Sequence, residues 1–243
     1  MQGKHWRRFA AILLLSPLGL LGLNDLHAAL FVRRASLPDE VVRNLQVGDV
    51  VFTREPYYLL RKVADASGSW SNHVGIVIDT TGAEPLVAES KVPKSVITPL
   101  SRFVGRSEAG YVAVRRPVHA LSIDEENLLA EAARARMGRW YDLGFNLHSS
   151  RQFCSKLVYE SLRAATGEEV GEVSNFEALL KSNPDAPLAF WRIWYLGRIP
   201  WQRETVTPAS QLVSAQLATI YDASQPQPRE PGASVSNFFR ETH

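Results

Sequence analysis

Sulfur is scarce in this chain: one cysteine, Cys154, and two methionines stand among 243 residues. A single cysteine excludes an internal disulfide and any Cys-rich metal site. The six histidines show no H-x-x-x-H spacing, so no sequence-local zinc site is expected, and neither a cofactor nor a metal is called for. Net charge is small as well. The formal +2 comes largely from the first eight residues, and no basic patch interleaved with aromatics occurs, which argues against a nucleic-acid partner. Internal repeats are absent. The longest apolar run, residues 9–23, is short for a spanning helix. What remains is a length suited to one ordinary domain plus appendages, with 45% apolar and 21% charged residues.

Lys4, Arg7 and Arg8 precede that apolar run, which is the order of a secretory signal peptide. Residues 1–28 therefore read as a signal peptide or a retained membrane anchor. Cleavage after Ala28 has Leu26 as a poor small-residue match two positions earlier. Either form predicts export to the periplasm or cell envelope if the source is bacterial, with association to the inner membrane if the segment is kept. No cysteine lies just after the apolar run, which excludes a bacterial lipoprotein. Removing 1–28 takes away three basic residues and one acidic one, leaving 24 of each. A lone thiol in an oxidising compartment has no internal partner, which suits either a reactive role or burial.

Residues 150–165 carry that thiol. Val158, Leu162 and Ala165 recur at helical spacing, with Leu157 and Ala164 widening the stripe, so a helix burying one face is predicted. With Ser149 or Ser150 as N-cap, Cys154 falls near the first turn, where unpaired N–H groups and the helix dipole favour a nucleophile. The alternative is a small apolar filler of the core.

Upstream, residues 48–52 read as a strand and residues 56–66 as a helix ending at Gly68. His73 heads a nearly all-apolar strand, 73–79, in which Gly75 allows close approach to the backbone. A turn containing Gly82 leads to strand 85–90, so the two form a hairpin that brings the Glu89 carboxylate within reach of the His73 imidazole. A carboxylate in that position fixes the ring's tautomer and orientation. Taken alone, each residue reads as an ordinary strand-end histidine or a solvated glutamate. Two more strands, 92–98 and 111–115, complete about five consecutive strands, hence a small antiparallel sheet or barrel in an α+β fold. Ser122 and Glu125 form a capping box for a helix over 123–137, and Ser174 and Glu177 form another. The aromatic loop 139–145 places Tyr141 before the cysteine, either with its hydroxyl aimed at a substrate carbonyl or as a packing plug. Residues 189–195 read as a late strand or aromatic lid. Residues 208–221 read as an amphipathic helix.

The ordered set of Leu45-Gln-Val-Gly-Asp-Val-Val-Phe52, Asn72-His73-Val-Gly-Ile, Ala88-Glu89, Trp140-Tyr141-Asp142 and Phe153-Cys154-Ser155-Lys-Leu-Val resembles the permuted papain-like cysteine hydrolases. Its likeness is to the YiiX/YebB-like amidase group, related to NlpC-type peptidases and to lecithin–retinol acyltransferase. Histidine precedes cysteine, as in the permuted branch. The resemblance implies a permuted papain-like fold with a sheet or barrel packed against the nucleophile's helix. It implies Cys154 as nucleophile, His73 as base, Glu89 as the orienting carboxylate and Tyr141 near the oxyanion. Lys156 departs from the Ser-Glu often found after the cysteine, and changes the charge expected near the cleft.

The expected organisation is a catalytic domain over 40–202, a C-terminal amphipathic helix over 203–222 and a disordered tail over 223–243. The expected activity is thiol hydrolysis of an amide, peptide or isopeptide, with an envelope substrate such as a muropeptide. A lipid acyl hydrolase or acyltransferase and a non-catalytic envelope binding module are the alternatives.

Overall fold

The computed structural model describes residues 35–184 and 186–224. The segment 1–28 and the tail beyond Ser224 lie outside the described residues. Among the described residues no helix is long and apolar enough to cross a membrane.

Six strands form one antiparallel sheet: β1 (Val50–Thr53), β2 (His73–Asp79), β3 (Leu86–Ser90), β4 (Ser95–Pro99), β5 (Val112–Pro117) and β8 (Leu217–Ala223), in the order β4-β3-β2-β1-β5-β8. The hairpin read over 73–90 is present. A second, two-stranded sheet pairs β6 (Val173–Asn175) with β7 (Glu204–Val206). The helices are α1 (Asp39–Arg43), α2 (Tyr58–Ser67), α3 (Leu100–Val104), α4 (Ile123–Arg134), α5 (Cys154–Thr166), α6 (Phe176–Ser182), α7 (Leu188–Trp194) and α8 (Pro208–Leu212).

Alternation along the central strands sends side chains to two cores. Val74, Ile76 and Ile78 of β2 pack with Leu157, Val158 and Leu162 of α5 and Leu129 of α4. Val77 packs on the other face with Val87, Phe103 and Leu45. A third cluster, rich in aromatics, joins Tyr141, Phe145, Phe153, Phe176 and Trp191.

Several expectations are corrected. Residues 208–221 are not one helix. Only Pro208–Leu212 is helical, held by a Thr207/Ser210 capping box, and β8 follows and pairs with β5. The sheet thus takes in residues beyond 202, and Ala223, assigned to the tail, ends a strand. Residues 188–194 form a helix rather than a strand, because Trp191 buries against Phe145 and Phe176 at helical spacing. Asn175 caps α6, its side chain accepting from the Ala178 N–H, while Ser174 lies in β6. Ala164 is exposed on α5.

Candidate active site

The register of the sheet sets the site. Gly75 is paired with Glu89, and His73 lies two residues along β2, so the two side chains are diagonal neighbours on one face. Their contact is direct: His73 Nε2 lies 2.8 Å from Glu89 Oε2, with both side chains buried. Thr98, paired with Val87 and two residues beyond Glu89's own partner Val96, continues the diagonal and donates to Glu89 Oε1 at 2.5 Å. The close approach allowed at Gly75 also has an occupant. A Cβ there would lie 2.5 Å from Val87 Cγ1 and 2.9 Å from Phe103 Cε2. Phe103 in turn tiles the His73 ring at 5.4 Å.

Three further residues join this network, and two of them, Arg106 and Glu55, carried no signal in the sequence. The Arg106 guanidinium donates to Glu89 Oε2 at 2.6 Å and to Glu55 Oε1 at 3.0 Å. Asn72 clamps the Glu55 backbone, accepting its N–H at 2.7 Å and donating to its carbonyl at 3.0 Å. These contacts link residues 55, 72, 89 and 106, whose proximity depends on strand pairing rather than spacing. Asn72 alone was visible, as the neighbour of His73.

Cys154 belongs to the core on the opposite face of the sheet and sits beside His73. It is the first residue of α5, with Phe153 as N-cap rather than Ser149 or Ser150. No side chain caps this end, so the first-turn N–H groups are not used up by a cap. Ser155 Oγ donates to the Val206 carbonyl at 2.8 Å, and Gln211 Nε2 donates to the Ser155 carbonyl at 2.9 Å. The segment after 202 therefore braces the nucleophile's helix.

Electrostatics follow these contacts. Burial lowers the His73 pKa, but the Cys154 thiol and the Glu89 carboxylate beside the ring outweigh it and raise the value to about 10. Burial raises the Glu89 pKa, and His73, Arg106 and Thr98 reverse that effect and bring it to about 2. With Nε2 occupied by Glu89, the other ring nitrogen, Nδ1, is buried and has no nitrogen or oxygen partner, leaving it to the thiol. Tyr141 is buried in the same place. Burial first, and then Cys154, raise its pKa well above the ordinary phenol value, and its hydroxyl has no partner. The structure thus brings all four predicted residues, Cys154, His73, Glu89 and Tyr141, to one place. Lys156 behaves otherwise than expected. Its ammonium is buried and bonds the carbonyls of Ser149 and Arg151, and it is not among the residues lining the cavity beside Cys154.

That cavity is narrow and walled mainly by Val63, Phe145, Phe153, Phe176 and Trp191. It is nearly all apolar.

Residues 44–221 match the family described as permuted papain-like amidase enzymes, YaeF/YiiX, C92 family. The chain belongs to this family. It is a hydrolase of the amidase type with the permuted papain-like α+β architecture. It is 28% identical over 175 residues to the uncharacterized protein YiiX of Escherichia coli (strain K12), covering 72% of this chain and 85% of that protein. A crystal structure of the metalloprotein yiiX from Escherichia coli O157:H7 superposes with a TM-score of 0.67 at 29% identity, covering 73% of this chain and 97% of the other. Among the described residues here, no cluster of three or more His, Cys, Asp or Glu side chains is arranged to hold a metal ion. Cys154 and His73 offer two donors, while Glu89 faces the far ring nitrogen and is held by Arg106. The residues present do not fit a metal centre, and no step below runs through one.

Proposed function

We propose that the chain hydrolyses an amide bond by acyl transfer through Cys154. The observation that carries this reading is the division of the His73 ring, with Nε2 on Glu89 and Nδ1 left for the thiol at the start of α5. In the proposed cycle Cys154 and His73 rest as an ion pair, with the thiol's proton already on His73 Nδ1, and the sulfur attacks the substrate carbonyl. The Cys154 backbone N–H and the Tyr141 hydroxyl meet the oxyanion, each such donor contributing about 3 kcal/mol. His73 then protonates the departing amine, and a thioester remains. Water, activated by the same nitrogen, releases the acid. Glu89 holds the ring throughout and stays ionised. The substrate class is an amide of the cell envelope, peptide or isopeptide, with a muropeptide as the leading case, encountered after export through the segment 1–28.

The apolar cavity favours a second reading for the acyl half, an acyl hydrolase or acyltransferase acting on a lipid-like chain. Incubating the purified protein and a Cys154→Ser variant with muropeptides, N-acyl amides and phospholipid, then reading the products by mass, separates the two. The proposal expects cleavage by the parent alone; equal cleavage by both proteins contradicts it.

A further inference from the structure

A second hollow, also lined by Tyr141, is walled by Val92, Pro93, Trp140, Leu143 and Arg151. Tyr141 lines both spaces, and its buried hydroxyl has no partner. A carbonyl held there would have one half of the substrate on each side. The half that stays on sulfur belongs in the apolar cavity that Cys154 lines. The departing half lies beyond Tyr141.

The second hollow differs from the first in charge. Arg151 is exposed, and among the described residues only its backbone is bonded, to Ser149 Oγ at 3.2 Å and to Lys156 Nζ at 3.0 Å. The buried Lys156 ammonium grips the carbonyls of Ser149 and Arg151 together, fixing the loop while the guanidinium stays free. Neighbouring carboxylates are already engaged. Asp142 accepts from the N–H groups of Gly144 and Asn146 and from Ser149, and Glu160 from Arg136 and Gln152. Lys94 is outside the wall, its ammonium 4.4 Å from the centre of the Trp140 ring that forms part of it.

We infer that this hollow is the leaving-group subsite and takes an amine or alcohol bearing an anion, carboxylate or phosphate, which the Arg151 guanidinium reads. A guanidinium fork matches either anion. The inference rests on Cys154 being the acyl-accepting nucleophile.

The test uses thiol–disulfide exchange on the full chain, with the carboxylate-bearing dithiobis-nitrobenzoate and the neutral dithiodipyridine. In each exchange the Cys154 sulfur attacks, the reagent's S–S bond breaks, and one aromatic thiolate departs with the electron pair and is read by absorbance. Arg151→Ala should lower the anionic-to-neutral rate ratio about two- to fivefold, the size of one exposed ion pair. Arg151→Glu should lower it further, and added salt should bring the parent ratio toward that of Arg151→Ala. Protection of Cys154 from the neutral reagent by a free amino acid or by phosphoethanolamine, lost in Arg151→Glu, identifies which anion is read. A ratio equal in the parent, Arg151→Ala and Arg151→Glu overturns the inference. Failure of the parent to react with either reagent removes the nucleophile reading, and the subsite with it.

Discussion

The two sides of the His73 ring are built differently. On the Glu89 side each carboxylate oxygen has a partner: His73 and Arg106 on Oε2, Thr98 on Oε1. On the Cys154 side polar atoms are buried without a nitrogen or oxygen partner: His73 Nδ1, Tyr141 Oη and, in the apolar cavity, Trp191 Nε1. A buried donor left unmade costs about 1–3 kcal/mol, so such atoms are rare in a finished core. The contrast separates the carboxylate that orients the ring, satisfied without substrate, from the atoms around the thiol, which substrate completes.

The largest effect should come from the unfinished side. Cys154→Ser or His73→Ala should lower kcat/KM at least about a thousandfold, with the thermal midpoint as control for folding. Tyr141→Phe comes next, at about a hundred- to a thousandfold in kcat if the hydroxyl meets the oxyanion. Because that hydroxyl has no nitrogen or oxygen partner in the free protein, its loss should leave the thermal midpoint unchanged or higher. A clear fall in midpoint would place Tyr141 with the scaffold instead.

On the finished side Glu89→Gln should cost about a hundredfold through misplacement of the ring, less than loss of the thiol. It should also change the pH profile. His73 is held protonated up to about 10, so the alkaline limb of kcat/KM is expected near there. Without the carboxylate the imidazolium loses a stabilising neighbour, and the limb moves to lower pH. Arg106→Gln acts with the opposite sign, since removing a cation from Glu89 Oε2 leaves more of the carboxylate's charge to His73, with Lys91 3.6 Å from Oε1 as its other cation. The alkaline limb should then move upward, measured over the same pH series. Glu89 itself, depressed to about 2, contributes its ion-pair stability at neutral pH and loses it only as pH falls toward that value. Smallest is Gly75→Ala. The added methyl meets Val87 and Phe103, which should lower stability by about 1–3 kcal/mol in denaturant unfolding and reach activity only through the ring that Phe103 covers.

The sequence showed the site where local pattern decides structure. His73 and Glu89 could be paired because a hairpin's register follows from a short turn between two apolar runs. Cys154 could be placed because a helix start follows from periodicity. Arg106 and Glu55 could not, since 51 positions separate them and only the fold brings them together. The C-terminal misreading has the same origin: Leu212 and Leu217 fit a helical spacing, but Leu217 belongs to a strand whose partner, β5, lies about a hundred positions earlier. Strand content of that kind is set by pairing more than by propensity. Lys156 was legible as a charge beside the cysteine, though not in its direction.

The central claim is that Cys154 and His73 act as one unit, and the alkylation rate of Cys154 by iodoacetamide across pH tests it most directly. The account predicts rapid labelling of the parent at neutral pH, with His73→Ala labelling slowly there and recovering only in alkali. Equal rates for the two proteins across the whole range would contradict it.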